Sequence, residues 1–302
     1  MFRYLGSILI VVMVLVLVVS LGVILLDRVA VRLSAEAVLR LTAFDGIGPA
    51  GGPPPRLRAW IEGVQPGRPP GYIWLVTRFE DGRSAWGWLN PHGLCRTLGP
   101  RDLTAGTYRV VVGPPEVRPR LDLVAAATVY VRPQDEAVIW FDAAAIVPAV
   151  GTHPAGGAAG RPRRAGRARV GRPPEGVRDI VDVVKTLASG RLPVYLVSAD
   201  ASGYALARRC LKAYGAPPGP AFWVIPGKER SRLLGLKRVW PRVDAAVVCD
   251  PTLRAAAAGV KVAVREAPSA DALAHPAETR RAWRGIRETL TAGQGGDGNV
   301  RR

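Results

Sequence analysis

Cysteine and histidine are scarce in this sequence, and neither is spaced as a metal site or a disulfide framework would require. Three cysteines (Cys95, Cys210 and Cys249) and three histidines occur among 302 residues. The cysteines form no C-x-x-C pair, and an odd count does not suit a set of disulfides. We therefore expect no zinc ribbon and no disulfide-stapled fold, and we interpret the cysteines as buried thiols.

Acidic residues are also few compared with basic ones. The chain has 24 Asp and Glu against 42 Lys and Arg, which gives a formal net charge of +18. Such an excess permits nucleic acid, anionic lipid or phosphorylated ligands as partners. Arginine dominates it, however, and a general bias of the chain toward Ala, Gly, Pro and Arg would produce the same numbers. A hydrophobic content of 48% is enough for packed cores and excludes a disordered protein.

An uncharged apolar run covers residues 5–26, behind a short flank at 1–4. A helix of this length spans about 30 Å, the thickness of the hydrocarbon core of a bilayer. A cleaved signal peptide usually has a shorter apolar region and a small-residue site close behind it. The run predicts an uncleaved transmembrane anchor and a single-pass membrane protein, with the side of the soluble domains left open.

The rest of the chain divides by pattern into four parts. Residues 27–55 are predicted to form a juxtamembrane helix and a Gly/Pro linker, and residues 56–133, with short strand-like segments between turns, a small β-sandwich. Its four tryptophans are predicted to lie in the core: Trp60, Trp74, Trp86 and Trp88. Residues 134–268 alternate strand and helix patterns, which indicates an α/β domain with a mostly parallel sheet. Residues 269–302 add a helix and a polar tail.

A low-complexity stretch at 150–171 interrupts the α/β pattern. Two interpretations remain open: a flexible loop, or a segment attracted to anionic lipid head groups at about 1 kcal/mol per basic residue. In and directly after the stretch stand six arginines without an acidic residue: Arg161, Arg163, Arg164, Arg167, Arg169 and Arg172.

Three apolar runs of the α/β region end in a polar residue: Asp142, Ser198 and Asp250. Ligands of a parallel sheet bind beyond the carboxyl ends of its strands, so these residues form a candidate site. Each also has a structural interpretation. Asp142 and Asp250 could make turns or helix caps, and Ser198 could cap the next helix.

Five segments in this order resemble the haloacid dehalogenase-like (HAD) superfamily, and most closely the lipin and actin-patch-type phosphatidate phosphatases. They are 137–148 (AVIWFDAAAIVP), 175–187, 193–200 (PVYLVSAD), 215–220 (GAPPGP) and 247–262. The resemblance implies a HAD-like, Rossmannoid sheet behind the β-sandwich. It also implies Asp142 as nucleophile, Ser198 as phosphoryl-oxygen donor and Lys228 as charge-neutralising lysine. Asp250, with Asp142, would then hold a Mg²⁺ ion.

The sequence departs from that family at three places. Ala144 stands where the general acid/base would be, Ile146 where a threonine would be, and Arg254 at a second acidic position. A missing acid/base typically costs a factor of about 10² to 10⁴ in rate. The sequence therefore predicts a membrane-anchored, catalytically degenerate HAD-like protein that binds or scaffolds at the membrane, with no nucleic acid as partner. The alternatives are a Mg²⁺-dependent phosphatase acting on a lipid phosphate such as phosphatidate, and an envelope protein-interaction module.

Overall fold

A computed structural model describes residues 12–22, 40–62, 74–90, 93–115, 124–148, 173–269 and 276–292. These residues form a closed β-barrel and a five-stranded parallel sheet with helices. By compactness the chain divides into two units. Of the described residues, the first unit contains 12–22, 40–43 and those within 56–100 and 109–127, and the second contains 44–55, 101–108 and those from 128 onward.

The barrel has seven strands in the order β1-β2-β5-β4-β3-β6-β7. It closes where β1 and β7 pair in parallel, with Gly46 opposite Val129. Inward and outward residues alternate along β4, where Ala85, Gly87 and Leu89 are buried and Ser84, Trp86 and Trp88 are exposed. The strands are β1 Arg40–Pro49, β2 Arg56–Glu62, β3 Trp74–Phe79, β4 Ser84–Leu89, β5 Leu94–Leu98, β6 Gly106–Gly113 and β7 Ala125–Arg132.

The second sheet is parallel throughout, in the order β10-β9-β8-β11-β12. Strands β8 and β9 are buried along their whole length, which explains their continuous apolar sequences. The strands are β8 Val138–Asp142, β9 Leu192–Val197, β10 Ala221–Trp223, β11 Val243–Val248 and β12 Val264–Glu266.

Helices connect these strands, as a parallel sheet requires. Helix α2 carries five buried apolar residues on one face, among them Ile180, Val184 and Leu187. The core of this unit contains the fully buried rings of Trp140 and Trp240. The helices are α1 (residues 12–22), α2 Val177–Leu187, α3 Ala201–Ala213, α4 Glu229–Val239, α5 Pro251–Gly259 and α6 Pro276–Ala292.

The fold class predicted from the sequence is wrong. The chain has a closed seven-stranded barrel and a parallel sheet, and not a HAD-like Rossmannoid domain behind a β-sandwich and a membrane helix. The β-sandwich prediction failed because alternating strands look alike in a sandwich and in a barrel. Closure depends instead on β1 and β7, whose paired residues Gly46 and Val129 are far apart in sequence. The HAD resemblance rested on the order of short segments, which many α/β proteins share.

The predicted single-pass anchor and membrane localisation are also corrected. Part of the run at 5–26 lies outside the described residues, and the part that is described is helical over residues 12–22. In the described portion of the chain, no helix combines the length and the apolar character needed to cross a membrane. The prediction treated the whole apolar run as one helix of 22 residues.

The tryptophans of the barrel differ from the prediction as well. Trp86 and Trp88 point outward, with 56% and 41% of their surface exposed. Gly87 between them faces the interior, where a Cβ would lie 2.7 Å from the Sγ of Cys95. The close approach of β4 to β5 therefore requires glycine at 87, and strand alternation then places both rings outside.

Candidate functional site at the carboxyl ends of β8 and β11

The candidate site lies where the order of the parallel sheet reverses. From β8 the chain continues to β9 on one side, and from β11 it continues to β12 on the other. Because β8 and β11 are neighbours, the ends of these two strands form the switch point at which ligands of open α/β sheets bind. Asp142 is the last residue of β8, and Cys249 and Asp250 follow β11 directly.

Asp142 is buried, with only 1% of its surface exposed, and both oxygens of its carboxylate accept hydrogen bonds. Oδ1 accepts from the backbone N–H of Ala144 at 3.0 Å. Oδ2 accepts from the backbone N–H of Cys249 at 3.2 Å, from its Sγ at 3.1 Å and from the N–H of Asp250 at 3.0 Å. The side chain thus fastens the end of β8 to the end of β11.

Burial raises the pKa of Asp142 above 3.8, and the four hydrogen bonds oppose that shift without cancelling it. Burial beside Asp142 also raises the pKa of the Cys249 thiol, which keeps the thiol protonated as a donor. Both pKa values are raised because burial moves these ionisable groups away from water and disfavours their charged forms. Together they describe a closed hydrogen-bonded node, in which the thiol is a weak nucleophile.

Asp250 lies beside this node as the N-cap of α5. Its Oδ1 accepts from the backbone N–H of Thr252 at 2.7 Å, from the hydroxyl of Thr252 at 2.7 Å and from the N–H of Leu253 at 3.4 Å. Pro251 occupies the first turn, where its missing N–H has no cost. The structure therefore brings Asp142 and Asp250 together. The contact is made by the backbone N–H of Asp250 and not by its carboxylate.

The other two predicted site residues are Ser198, directly after β9, and Lys228, directly before α4. Ser198 follows β9 and is half-buried. It does not cap the next helix, because Asp200 does so by accepting from the N–H of Gly203 at 2.7 Å. Lys228 is exposed and precedes α4, with its backbone N–H donating to the carbonyl of Ile225 at 2.9 Å.

The residues that depart from the family pattern have structural roles. Ala144 and Ile146 lie in and directly after a 3₁₀ turn, and Ile146 is fully buried. Arg254, at the second acidic position, forms an ion pair with Glu266 of β12 at 2.8 Å. At these three positions the chain therefore has two apolar side chains and an arginine held in an ion pair, and not the polar groups that the family chemistry would use.

The arrangement around Asp142 offers little to a divalent cation. Mg²⁺ needs carboxylate oxygens that face it, whereas both oxygens of Asp142 face N–H or S–H donors. In the described part of the chain, no cluster of three or more His, Cys, Asp or Glu residues could hold a metal ion. These residues do not fit the predicted Mg²⁺ ion as they stand.

Sequence reasoning missed the role of Cys249, and it missed a second buried carboxylate, Asp45. Cys249 was interpreted as one more buried thiol, although its place directly before Asp250 was a signal. Asp45 accepts from the N–H of Thr128 at 2.9 Å and of Ala221 at 3.1 Å, and it forms an ion pair with Arg208 at 2.9 Å. No sequence signal connects these distant positions. The six arginines from Arg161 to Arg172 lie outside the described residues.

Comparisons with known proteins add no family. No protein-family profile and no curated protein matches the chain. Among solved structures, the chain is similar to a "Biofilm associated protein - BSP domain", with 13% identity and a TM-score of 0.22. That match covers 32% of this chain and 15% of the other, so the chain spans a small part of that protein's length. A likeness at this score carries no argument about fold or function.

Proposed function

We propose that this protein is a binding or scaffolding protein whose sheet carries a structural node where an enzyme would have a reaction centre. The observation that supports the proposal is the fourfold hydrogen bonding of the buried Asp142 carboxylate. A nucleophilic carboxylate needs a free oxygen facing the substrate, and here each oxygen is held by donors from the protein itself.

The surroundings of Asp142 support the same conclusion. Ala144 has no group that could protonate a leaving oxygen, and Arg254 is paired with Glu266. An anionic or phosphorylated ligand suits a chain with a formal charge of +18. The proposed function is therefore recognition of an anionic partner without chemical turnover.

The test compares turnover and binding in the same full-length preparation. We expect no Mg²⁺-dependent hydrolysis of p-nitrophenyl phosphate or of phosphatidate above the rate of the Asp142→Asn variant. We also expect wild type and variant, both assayed under conditions in which circular dichroism shows them folded, to bind heparin-Sepharose equally well. Turnover by the wild type that Asp142→Asn abolishes would overturn the proposal, and so would the failure of wild type to bind any anionic matrix.

A further inference from the structure

The outer wall of the barrel carries three tryptophans beside a group of arginines, all within the first compact unit. The register aligns four of these residues in one row across neighbouring strands. Trp74 of β3 lies opposite Trp88 of β4, Trp88 opposite Arg96 of β5, and Arg96 opposite Arg58 of β2. We call the row, together with Trp86, the tryptophan–arginine face.

The aromatic half of this face is exposed to an unusual degree. Trp86 and Trp88 have 56% and 41% of their surface exposed, although aromatic rings of this size usually lie mostly inside. Trp74 contacts Trp88, with ring centroids 3.7 Å apart, and it meets Trp86 edge to face at 6.5 Å. Leu98, which is 57% exposed, extends the apolar surface onto β5. Contiguous apolar surface of this kind marks an interaction site.

The arginine half of the face places two like charges on neighbouring strands. Arg58 and Arg96 lie directly opposite each other, and like charges so placed on a sheet destabilise it. Partial burial, with the neighbouring charges of Arg96 and Arg56, lowers the pKa of Arg58 to about 10. Within the described ranges, no ion pair involves Arg56, Arg58 or Arg96. An anion bound here would relieve the repulsion.

The spacing of the two halves narrows the choice of ligand. Neighbouring strands lie about 4.8 Å apart, so Trp88 is one strand from Arg96 and two strands from Arg58. A single-stranded nucleic acid repeats a flat aromatic base and an anionic phosphate at short intervals along its length. Proteins that bind such strands without sequence preference combine aromatic stacking platforms with a basic track for the backbone.

We propose that the tryptophan–arginine face binds single-stranded nucleic acid, with bases stacking on Trp86 and Trp88 and phosphates meeting Arg96 and Arg58. This proposal differs from the sequence-based expectation that the chain has no nucleic-acid partner. The proposal names a partner and a surface for the binding function proposed above. It rests on that function. Asp142 and the parallel sheet take no part in it.

The experiment uses the full chain and the fluorescence anisotropy of a labelled 20-nucleotide oligothymidylate. The key comparison is an abasic strand of equal length, which keeps the phosphates and removes the bases. We expect the wild type to bind the strand with bases at least about 5-fold more tightly, because stacking accounts for roughly 5- to 150-fold in affinity per base. The double variant Trp86→Ala, Trp88→Ala should bind both strands equally and as weakly as the wild type binds the abasic one.

The arginines are tested through salt dependence. Arg58→Gln and Arg96→Gln should each lower the slope of log affinity against log salt concentration by about 0.7 on both strands. Arg109→Gln on β6, also exposed on the barrel, is the matched control and should leave the slope unchanged. The base preference is insensitive to the arginines at 161–172, because an electrostatic contribution acts equally on both strands.

The results that would overturn the proposal are specific. One is a wild type with no preference for the strand with bases, and another is a preference that survives the double tryptophan variant. A third is a heparin chain or a phosphatidylserine vesicle that binds through Trp86 and Trp88 where the oligonucleotide does not, which would assign the face to another partner. Turnover at Asp142 would overturn the proposed function alone and is measured separately.

Discussion

At the scale of single residues, Asp142 shows how one buried carboxylate can replace part of the backbone hydrogen bonding of a sheet. The N–H groups of Ala144, Cys249 and Asp250 all lie beyond the ends of their strands. Without Asp142 these part-buried donors would lose their acceptor, and an unmet buried donor costs about 1–3 kcal/mol. The residue is therefore important for stability whatever the protein binds.

Asp142→Asn should destabilise the protein because the amide NH₂ would face a backbone donor in either orientation, the N–H of Ala144 or the N–H groups of Cys249 and Asp250. We expect a loss of about 1–3 kcal/mol in the free energy of unfolding for each donor left unmet, measured by urea denaturation. Asp250→Asn is the matched control and should change the free energy by a few tenths of a kcal/mol, because asparagine caps helices as well as aspartate does. Equal losses in the two variants would contradict this account.

The raised pKa of Asp142 predicts that the effect of Asp142→Asn on the free energy of unfolding depends on pH. The pKa of Asp142 is raised in the folded protein above 3.8, so the folded state holds that proton more tightly than the unfolded state. The stabilisation from this proton is complete below pH 3.8 and is lost as the pH rises through the folded pKa. The difference in unfolding free energy between wild type and Asp142→Asn should therefore narrow as the pH rises from below 3.8 toward neutrality. A gap that widens with pH would contradict the raised pKa.

At the scale of elements, the end of α5 combines two unusual features at one residue. Lys261 follows the helix with φ at 58°, a left-handed conformation that usually belongs to glycine. Its backbone N–H donates to the carbonyl of Ala258 at 2.9 Å. Its carbonyl, with that of Val260, accepts from Nζ of Lys237 in α4 at 2.9 and 2.8 Å. Helix α4 thus stabilises the end of α5.

Lys261→Gly should raise the free energy of unfolding by about 0.5–1 kcal/mol, because glycine adopts this conformation without steric cost and keeps both backbone hydrogen bonds. Lys261→Ala is the control, since it removes the exposed side chain and leaves the backbone strain. Thermal or urea unfolding should show a gain for glycine only. The same gain for alanine would mean that the charge of Lys261, and not its backbone, is unfavourable.

The alternation of helices and strands over 134–268 could be predicted from the sequence, and strand pairing could not. Helices Val177–Leu187 and Glu229–Val239 have a local signal, because apolar spacing and nearby prolines mark them in the sequence. Strand Arg40–Pro49 was missed within a region assigned to a helix and linker. It is a strand because it pairs with β7 and because Asp45 accepts the N–H of Thr128, far along the chain. Such partners leave no local signal.

The candidate site could be predicted from the sequence only where its signals are local. The strand ends at Asp142, Ser198 and Asp250 could be read from apolar runs, and the sheet places Asp142 next to Asp250. The direction in which each carboxylate points depends on nearby N–H groups, which no motif records. The exposed rings of Trp86 and Trp88 escaped prediction because strand alternation alone does not say which face of a strand is inside.

At the scale of the whole molecule, the excess of positive charge opposes compaction. A formal charge of +18 on 302 residues produces repulsion that salt screens within about 8–10 Å at physiological ionic strength. Folding brings the positive charges closer together. Screening by salt therefore lowers the free energy of the folded state more than that of the extended chain. The balance of charge therefore affects stability as well as the choice of partner.

We expect the melting temperature to rise when sodium chloride is increased from 0.02 to about 0.3 M, as differential scanning fluorimetry would show. Replacing the six arginines from Arg161 to Arg172 by glutamine removes six positive charges and should make that rise smaller. The same rise in both proteins would attribute the salt effect to something other than net charge.

The two sheets also differ in what they offer to a second chain. Over the residues that the structure describes, the barrel is closed and has no unpaired edge strand at which another strand could add. The open sheet ends in β10 and β12, which are three residues long each. Edges this short provide few free backbone groups for pairing with another molecule. Closed and short edges limit edge-to-edge aggregation, and tryptophans on the wall of a closed barrel have no adjacent open edge strand that would turn contact into fibre growth.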